Sequence, residues 1–282
     1  MGLVLVVDGG GSGCRAAVAD ESGQILGQGR AGPANIMTDP DAARANILAA
    51  AATALADSGQ AATLADLAAV LGLAGANVAG NAARLAALLP FARVRVETDA
   101  TIALVGAHQD QDGIAATIGT GSVFGRQRGG VRRQIGGWGF VLGDEGSGAW
   151  IGRAALTEVL HAADGLVSGS PLLAGLRDRL GGADAVVTFA RTASPGDFSD
   201  LAREVVAAPD DAAAARILSA ADDWIARGIG HLQVSPTLPV TFLGGLGPVF
   251  AQRLSPRYPG LIRAAMGSAL DGALWLARTE GW

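Results

Sequence analysis

The stretch VLVVDGGGSGCRAAV, residues 4–18, is the most informative segment of the chain. Four branched apolar residues lead into an aspartate, three consecutive glycines and a serine, a pattern typical of a buried strand that ends in a turn. Adjacent glycines cost conformational entropy on folding and leave accessible backbone N–H groups. A turn that binds a ligand therefore explains this stretch better than a turn alone.

Two common phosphate-binding motifs do not explain this stretch. A P-loop requires a lysine, and all 21 basic residues of this chain are arginine. The same absence excludes Schiff-base lysine enzymes and the protein-kinase strand lysine. Residues 11–16 match the dinucleotide pattern G-x-G-x-x-A by letter, but that pattern requires a helix to follow. Residues 14–29 instead predict two short strands around the turn at residues 20–23, which form a hairpin.

Length and composition limit the number of domains, the classes of partner and the cellular location that we expect. A chain of 282 residues fits one large or two modest domains, and its net charge of −5 argues against a nucleic-acid partner. The single Cys14 excludes an intrachain disulfide, and three scattered histidines give no zinc-binding spacing. The N-terminus has no basic leader and no segment is apolar enough to span a membrane, so we expect a cytoplasmic protein without membrane contact.

Strands and helices alternate after the hairpin. Thr38 or Asp39 is predicted to cap a helix with Pro40 at its first position, ending near Ala56. We then expect a strand at 67–73, a helix at 77–89, a strand at 94–97 and a short helix beginning near Asp99. This alternation predicts an α/β fold with parallel strands, and the opening meander makes the sheet mixed.

The N-terminal pattern occurs a second time. An apolar strand at 113–118 precedes the turn Gly119-Thr120-Gly121-Ser122, a strand at 123–127, a glycine turn at 129–130 and a third strand at 131–135. Two matched turns that face one another could clamp one phosphate chain with N–H groups and hydroxyls. Chance similarity of two hairpins is the alternative, and the polar turn at the same place in both favours the clamp.

The remainder of the chain is mostly helical. A glycine-dense segment at 136–150 precedes a helix at about 151–162, and residues 165–211 are interpreted as amphipathic helices that cover a core, with a lid as the alternative. A helix at 212–231, a strand at 238–243, the turn Gly244-Gly245-Leu246-Gly247 and a final helix at 261–279 complete the prediction. Trp275 in that last helix suits core packing better than a dimer contact.

Two aspartates are candidates for chemistry. Asp8 ends the first strand directly before the glycines, where its carboxylate could hold Mg²⁺ or bond the following N–H groups as a turn aspartate. Asp99 follows a strand and begins a helix, so it is a candidate general base or a helix cap. The three histidines lie away from the glycine turns and do not compete as the base.

Five motifs together resemble the N-acetylglucosamine kinase family, which carries the BadF/BadG/BcrA/BcrD-type ATPase domain of the actin/hexokinase/Hsp70 superfamily. They are Asp8-Gly9-Gly10-Gly11-Ser12, Asp99-Ala100, Gly119-Thr120-Gly121-Ser122, Gly137-Trp138-Gly139 with Gly143-Asp144-Glu145-Gly146-Ser147, and Gly244-Gly245. The resemblance implies an α/β fold of two ribonuclease-H-like domains, with mixed five-stranded sheets around a central cleft. It implies domains at 1–108 and 109–282, a helical subdomain at about 160–215, and a last helix packing back on the first domain.

The resemblance also implies site residues for ATP, Mg²⁺ and an amino sugar. Asp99 would be the catalytic base for the sugar 6-hydroxyl, and the Asp8 carboxylate would hold the metal ion. The implied nucleotide contacts are Gly10, Gly11, Ser12, Thr120, Gly121, Gly244 and Gly245. The implied sugar contacts, besides Asp99 itself, are Asn35, Ser122, Gly137, Trp138, Gly139 and Asp144.

Two departures from the family pattern affect the expected substrate. Val123 stands where the animal kinases have asparagine, and the second domain is shorter than theirs. The expected activity is therefore 6-phosphorylation of N-acetylglucosamine or glucosamine. The alternatives are a BadF-type ATPase without kinase activity and a non-catalytic sugar or nucleotide sensor. Radical-dehydratase activators need about two cysteines for their iron–sulfur cluster, which Cys14 alone does not supply. The sequence leaves open whether the chain forms a homodimer.

Overall fold

A computed structural model of the protein describes residues 2–78 and 80–279. Its first sheet has five strands in the order β3-β2-β1-β4-β5. β1 pairs antiparallel with β2 and parallel with β4, and β4 pairs parallel with β5, which makes the sheet mixed, as predicted. The strand bounds are β1 Val4–Gly9, β2 Cys14–Ala19, β3 Ile25–Ala31, β4 Ala68–Leu73 and β5 Arg93–Thr98.

Along the chain, α1 Pro40–Asp57 follows β3, α2 Asn81–Ala86 connects β4 to β5, and α3 Asp99–His108 follows β5. The cap of α1 is Asp39, whose side chain accepts a hydrogen bond from the Ala42 N–H, and Pro40 is the first helical residue, as predicted. α2 is shorter than the helix predicted at 77–89. The residue before it, Gly80, has φ +86°, a left-handed conformation that an α-helix cannot include.

The second sheet has four strands in the order β8-β7-β6-β9, with β6 parallel to β9. Their bounds are β6 Gly113–Ile118, β7 Ser122–Arg128, β8 Val131–Gly136 and β9 Val240–Leu243, so the predicted repeat of strands and turns is present. The sheet prediction assumed five strands. In the described residues an isolated parallel bridge between Val240 and Ile262 stands beside β9, where a fifth strand would pair.

Helices make up most of the remaining chain: α4 Gly148–Ala163, α5 Pro171–Leu180, α6 Ala183–Thr192, α7 Pro195–Ala207, α8 Ala212–Leu232, α9 Gly247–Leu254 and α10 Ala269–Thr279. Short 3-10 helices occur at Leu64–Asp66 and Ser255–Arg257. Among residues 2–78 and 80–279, no helix has both the length and the apolar character required to cross a bilayer.

α10 begins eight residues later than predicted, because the segment before it forms other contacts. Ile262 pairs with β9, and the Met266 N–H donates to the Ala107 carbonyl (3.1 Å). Ser268 and Asp271 then form a reciprocal capping box, in which the Ser268 N–H donates to Asp271 (2.7 Å) and the Asp271 N–H donates to Ser268 Oγ (3.3 Å). The contacts of Ile262 and Met266 therefore override the helical pattern predicted at residues 261–268.

The chain divides into two compact units. The first comprises the described residues up to Gly113, Gly125–Gln134 and the described residues from Ala264 onward; the second comprises Ile114–Phe124 and Ile135–Arg263. The chain passes from one unit to the other after Gly113 at the start of β6, within β7, within β8 and after Arg263. A single boundary between residues 108 and 109 therefore stays a prediction.

The first unit buries both faces of its sheet. Leu5 and Val7 of β1 belong to a cluster with α1, whereas Val6 belongs to a second cluster with α3 and α10. Because alternate residues of a strand face opposite ways, a continuous apolar run such as VLVV is typical of a strand covered on both sides. Trp275 packs against the second cluster, in agreement with the preferred interpretation of this residue.

The second unit has a separate core. Ile114, Ala116 and Ile118 of β6 pack with buried residues of α4 and α8, and this cluster extends through α5, α6 and α7. The segment at 165–211 therefore contains the core-covering helices that the sequence predicted. Its helices contribute Leu173, Val186 and Phe198 to the same cluster.

Two glycines allow α3 and α10 to approach closely within the first unit. A Cβ on Gly272 of α10 would lie 1.9 Å from the Ile102 carbonyl oxygen and 2.4 Å from the Gly106 nitrogen. A Cβ on Gly106 of α3 would lie 2.0 Å from the Ser268 carbonyl oxygen. These contacts are to backbone, which cannot move aside as a side chain can.

We expect Gly272→Ala to lower the free energy of unfolding by about 1–3 kcal/mol, because the added methyl group overpacks this contact. The matched control is Gly175→Ala in α5, where a Cβ meets nothing within 4 Å. That change should stabilise the protein by about 0.5–1 kcal/mol through helix propensity. Urea unfolding of both variants measures the difference, and equal midpoints would contradict the proposed close packing.

Candidate functional site

The predicted site residues of the first unit lie at one edge of its sheet. β1, β4 and β5 run parallel, and their register aligns Asp8 with Gly72 and Gly72 with Glu97. Parallel strands end at the same edge, so Asp8, the turn that follows it and Asp99 all lie at that edge, with β4 between β1 and β5. Asn35 also reaches this edge, because Ala34 donates to the Gly10 carbonyl (2.9 Å) and Ile36 to the Ala74 carbonyl (3.0 Å).

The turn after β1 is closed by a backbone bond from the Gly10 N–H to the Gly13 carbonyl (2.9 Å). Gly11 and Ser12 are exposed at its tip. Within the described part of the chain, the N–H groups of these two residues have no hydrogen-bond acceptor. A Cβ on Gly11 would meet nothing within 4 Å. The tip therefore offers two backbone donors and a hydroxyl to an anion.

Asp8 forms an ion pair with Arg15, in which Arg15 Nη2 donates to Asp8 Oδ2. Only 14% of the Asp8 side chain is exposed, against 52% of Arg15. Among residues 2–78 and 80–279, no hydrogen bond joins the Asp8 carboxylate to the N–H groups that follow it, which are the partners that a turn aspartate would use. Arg15 places a guanidinium group beside the glycine turn, and the sequence analysis did not single it out.

Cys14 lies next to this pair and is buried. Burial raises the pKa of its thiol to about 12, and the Asp8 carboxylate adds to the effect. A thiol with this pKa is protonated at neutral pH and is a poor nucleophile or metal ligand.

The side chain of Asn35 is partly committed to its own loop. Asn35 Oδ1 accepts from the Met37 N–H (3.0 Å) and the Thr38 N–H (3.3 Å), which fixes the side chain in an Asx-type turn. The amide nitrogen of Asn35, Nδ2, is a hydrogen-bond donor. Asn35 can therefore offer hydrogen bonds to a ligand at this edge, but its carbonyl oxygen is already used.

Asp99 is the first residue of α3, and the cap of that helix is Thr98. The Thr98 hydroxyl accepts from the Thr101 N–H (3.0 Å), so capping does not require the Asp99 carboxylate. Asp99 Oδ1 accepts from the Ala100 N–H (2.8 Å) and the residue is partly buried. The position directly after a strand end, at the edge that also carries Asp8, suits a catalytic carboxylate.

The second unit repeats the same arrangement. β6 and β9 run parallel with Thr117 opposite Leu243, which brings the turn after β6 beside the turn after β9. The Gly119 N–H donates to the Gly121 carbonyl (2.9 Å), as Gly10 does to Gly13 in the first unit. In the described residues the N–H groups of Thr120 and Gly121 have no acceptor. This turn too can offer backbone donors and a hydroxyl to a phosphate.

Gly244 contacts the end of β6 directly. It has φ +82°, and a Cβ at this position would lie 2.4 Å from the Ile118 carbonyl oxygen. The same carbonyl accepts from the Leu246 N–H (3.0 Å). A Cβ on the neighbouring Gly245 would meet nothing within 4 Å, so Gly245 leaves open space that the predicted adenosine contact would use.

Asp144 joins two of the predicted motifs within the second unit. Its carboxylate accepts hydrogen bonds from the N–H groups of Ser122 and Gly139, and its backbone is left-handed at φ +60°. Burial raises the pKa of the Asp144 carboxyl, those two hydrogen bonds oppose the rise, and Glu145 adds to it. A Cβ on Gly121 would lie 2.7 Å from Asp144 Oδ2, which explains the glycine at that position.

Ser122 and Trp138 have opposite environments. Ser122 is buried, and its hydroxyl donates to the Glu145 carbonyl (2.9 Å), so it holds the glycine-dense segment in place. Trp138 is 69% exposed, between Gly137 and Gly139, both of which have positive φ. Arg153 of α4 contacts Phe140, the residue after Gly139. Arg153 Nη1 donates to the Phe140 carbonyl (3.3 Å), and the guanidinium lies 4.8 Å from the Phe140 ring centroid.

The acidic groups available fit a metal ion that is shared with a nucleotide. Among residues 2–78 and 80–279, no three His, Cys, Asp or Glu side chains are grouped so that they could hold a metal ion by themselves. Mg²⁺ commonly uses one or two carboxylates together with substrate phosphates and water. Asp8, beside the exposed N–H groups of Gly11 and Ser12, is the carboxylate that fits this type of binding.

Two cavities occur away from the glycine turns, each within one unit. A cavity of about 130 Å³ in the first unit is lined by Thr101, Arg132, Arg133 and Gln134, together with apolar atoms of α3 and β7. A groove of about 360 Å³ between α4 and α8 in the second unit is lined by Trp150, Arg153, Glu158 and Arg216, among others. Neither contains a predicted site residue.

Sequence reasoning missed three residues at or near the site. Thr98 could have been recognised as the cap, because threonine before an aspartate at a strand-to-helix junction is a capping signal. Arg15 and Gln134 gave no local signal. Arg15 reaches Asp8 across the β1–β2 pair, where Asp8 and Arg15 are register partners.

Each of these two glycine turns lies at the carboxyl edge of a mixed sheet, so the fold is an α/β fold with a repeated arrangement of strands and turns. The family model for the BadF/BadG/BcrA/BcrD ATPase family matches residues 5–246. The chain belongs to this family, which confirms the predicted resemblance.

Relatives match over nearly the whole chain. The glucosamine kinase GspK of Vibrio cholerae is 28% identical over 284 residues, which cover 98% of this chain and 96% of that protein. A crystal structure from Chromobacterium violaceum, provisionally named an N-acetylglucosamine kinase, superposes with a TM-score of 0.90 and 32% identity, covering 98% of this chain and 99% of that one. A ROK family glucokinase from Streptomyces griseus shares the fold, with a TM-score of 0.59, 20% identity and 98% of both chains covered.

We expect Gly244→Ala to lower the free energy of unfolding by about 1–3 kcal/mol, because alanine is strained at φ +82° and its methyl group would overlap the Ile118 carbonyl. The matched change Gly245→Ala should alter stability by less than about 0.5 kcal/mol, as expected where nothing is contacted. Chemical unfolding of both variants distinguishes them. A similar loss in the two variants would argue against a special role for Gly244.

Proposed function

We propose that this protein is an ATP-dependent amino-sugar kinase that phosphorylates the 6-hydroxyl of glucosamine or N-acetylglucosamine. One observation carries the proposal: Asp99 lies at the same sheet edge as Asp8 and the open Gly11–Ser12 turn. This edge combines a candidate base, a candidate metal carboxylate and phosphate donors. Full-length similarity to proteins named glucosamine kinase and N-acetylglucosamine kinase supports the same activity.

In the proposed reaction, Asp99 accepts the proton of the sugar 6-hydroxyl as that oxygen attacks the terminal phosphorus of ATP. The bond from phosphorus to the bridging oxygen breaks, and ADP leaves with the electron pair. General-base catalysis supplies roughly 10²- to 10⁴-fold of the acceleration, and positioning supplies a further share. When bound, Mg²⁺ would neutralise charge on the phosphates. Asp8 is the carboxylate that would hold the metal ion.

The nucleotide is assigned to the two glycine turns and the turn after β9. Gly10, Gly11 and Ser12 in the first unit are assigned as phosphate contacts, as are Thr120 and Gly121 in the second. Gly244 and Gly245 would lie against the adenosine. Because the chain contains no lysine, backbone N–H groups, the metal ion and arginine must neutralise the phosphate charge.

The sugar is assigned to Asn35 and Asp99 and, in the second unit, to Ser122, Gly137–Gly139 and Asp144. The buried Ser122 hydroxyl and the Asp144 carboxylate are held by local hydrogen bonds, so their contribution is to shape the loop that carries Trp138. Val123 supplies no hydrogen bond at the position where the animal kinases have asparagine. This favours glucosamine over the N-acetylated sugar.

A coupled ADP-release assay tests this function. The panel is glucosamine, N-acetylglucosamine, N-acetylmannosamine, glucose and an anhydro-muramic sugar, each with ATP and Mg²⁺. We expect release that depends on an amino sugar, with the highest kcat/KM for glucosamine. Release that is independent of sugar would favour the alternative, an ATPase without kinase activity. Nucleotide binding without ADP release would favour a sensor.

Asp99→Asn should lower kcat for sugar phosphorylation by about 10²- to 10⁴-fold, because the amide cannot accept the proton. ATP affinity, measured by calorimetry, should stay within about threefold of the wild type, since no nucleotide contact is assigned to Asp99. Asp41→Asn removes an exposed carboxylate from the first turn of α1 and serves as the control. A near-wild-type rate for Asp99→Asn would exclude it as the base.

A further inference from the structure

We infer that Thr98 and Gln134 act as a positioning pair for Asp99. The inference rests on the proposed function, in which Asp99 is the base. It assigns a role to two residues outside the predicted nucleotide and sugar contacts. Neither residue needs to touch a substrate, because both act through the start of α3.

The Thr98 hydroxyl is the centre of a three-bond network within the first unit. It accepts from the Thr101 N–H (3.0 Å), it donates to Gln134 Oε1 (2.8 Å), and it lies 2.9 Å from Thr101 Oγ1. Since its one proton goes to Gln134, the Thr101 hydroxyl is the donor in the third contact. The hydroxyl of Thr98 is therefore fixed in direction by partners on two elements.

The position of Asp99 depends on this network. Asp99 follows Thr98 directly, so the backbone that the Thr98 cap fixes is also the backbone that carries the Asp99 side chain. The Thr98 side chain caps a helix of 10 residues. Without that bond the first turn is free to fray, and the carboxylate would move with it. Displacement of a catalytic group by 1 Å can cost on the order of 10²-fold in rate.

Gln134 anchors this end of β5 to a strand of the other sheet. It lies on β8 and is grouped with the first unit, whereas the next residue, Ile135, is grouped with the second. Three residues further along the chain is Gly137, where the predicted sugar-lining segment begins. The Thr98–Gln134 bond therefore fixes β8 just before the chain enters that segment.

Ser170 provides a matched control because it makes the same two kinds of bond at a different helix. Its hydroxyl caps α5 by accepting from the Leu173 N–H (3.3 Å), and it bonds the side chain of Asp211. α5 carries no predicted site residue. Ser170→Ala and Thr98→Val both remove a cap and a side-chain bond, but only Thr98→Val should affect catalysis.

The test is steady-state kinetics of the full-length protein with the amino sugar that the ADP-release panel identifies, alongside thermal unfolding. Thr98→Val should lower kcat by about 10- to 10²-fold, with the KM for ATP changed less than about threefold. Thr98→Ser keeps the hydroxyl and should restore kcat to within about threefold of the wild type. Gln134→Leu leaves the cap in place and should lower kcat by about 5- to 20-fold.

The double variant separates positioning from general destabilisation. If Thr98 and Gln134 act as one unit, the loss in kcat for Thr98→Val with Gln134→Leu should be smaller than the product of the single losses. Unchanged kcat in both single variants, or a loss in kcat for Ser170→Ala equal to that of Thr98→Val, would overturn the inference while leaving the kinase assignment intact. Absence of sugar-dependent ADP release in the wild type would overturn both.

Discussion

The structure depends on the burial of β1 at the centre of the first sheet. This strand pairs with β2 on one side and β4 on the other, and its side chains are covered on both faces. A strand held in this way cannot shift register by one residue without exchanging the two apolar sets that its faces bury. Its carboxyl end is consequently fixed, and with it the place of Asp8 and the glycine turn.

Glycine has two distinct functions in this chain. At Gly106, Gly272 and Gly244 it allows backbone segments to approach where a Cβ would overlap another backbone atom. At Gly11 and Gly245 a Cβ would meet nothing within 4 Å, so the absence of a side chain leaves space for a ligand. The first set supports the architecture, and the second is the set that the proposed nucleotide would use.

The absence of lysine makes the electrostatics of the proposed site unusual. Phosphate charge would be balanced by backbone donors at two turns, by Mg²⁺ and by arginine. Arg15 is paired with Asp8, so the charges of the carboxylate and the guanidinium compensate one another. In the proposed complex, the metal ion would attract the Asp8 carboxylate and the phosphates would attract the Arg15 guanidinium.

Much of the architecture followed from local pattern. The hairpin after β1, its copy at residues 113–136 and the cap at Asp39 depend on turn chemistry and on neighbouring residues, so the sequence predicted them. Predictions failed where distant contacts override local preference. The start of α10 moved to Ala269 because Ile262 pairs with β9, and α2 shortened because Gly80 is left-handed.

By itself the sequence determined which residues could carry chemistry: the two glycine turns, Asp8, Asp99 and the absence of lysine are properties of the chain alone. Only the tertiary structure decided which of them share an edge. Parallel pairing of β1, β4 and β5 brings Asp8 and Asp99 to one edge of the sheet, although they are far apart in the sequence. The same is true of Arg15 with Asp8 and of Thr98 with Gln134. The physical reason is that strand register and side-chain hydrogen bonds across elements depend on the packed sheet, which no local pattern encodes.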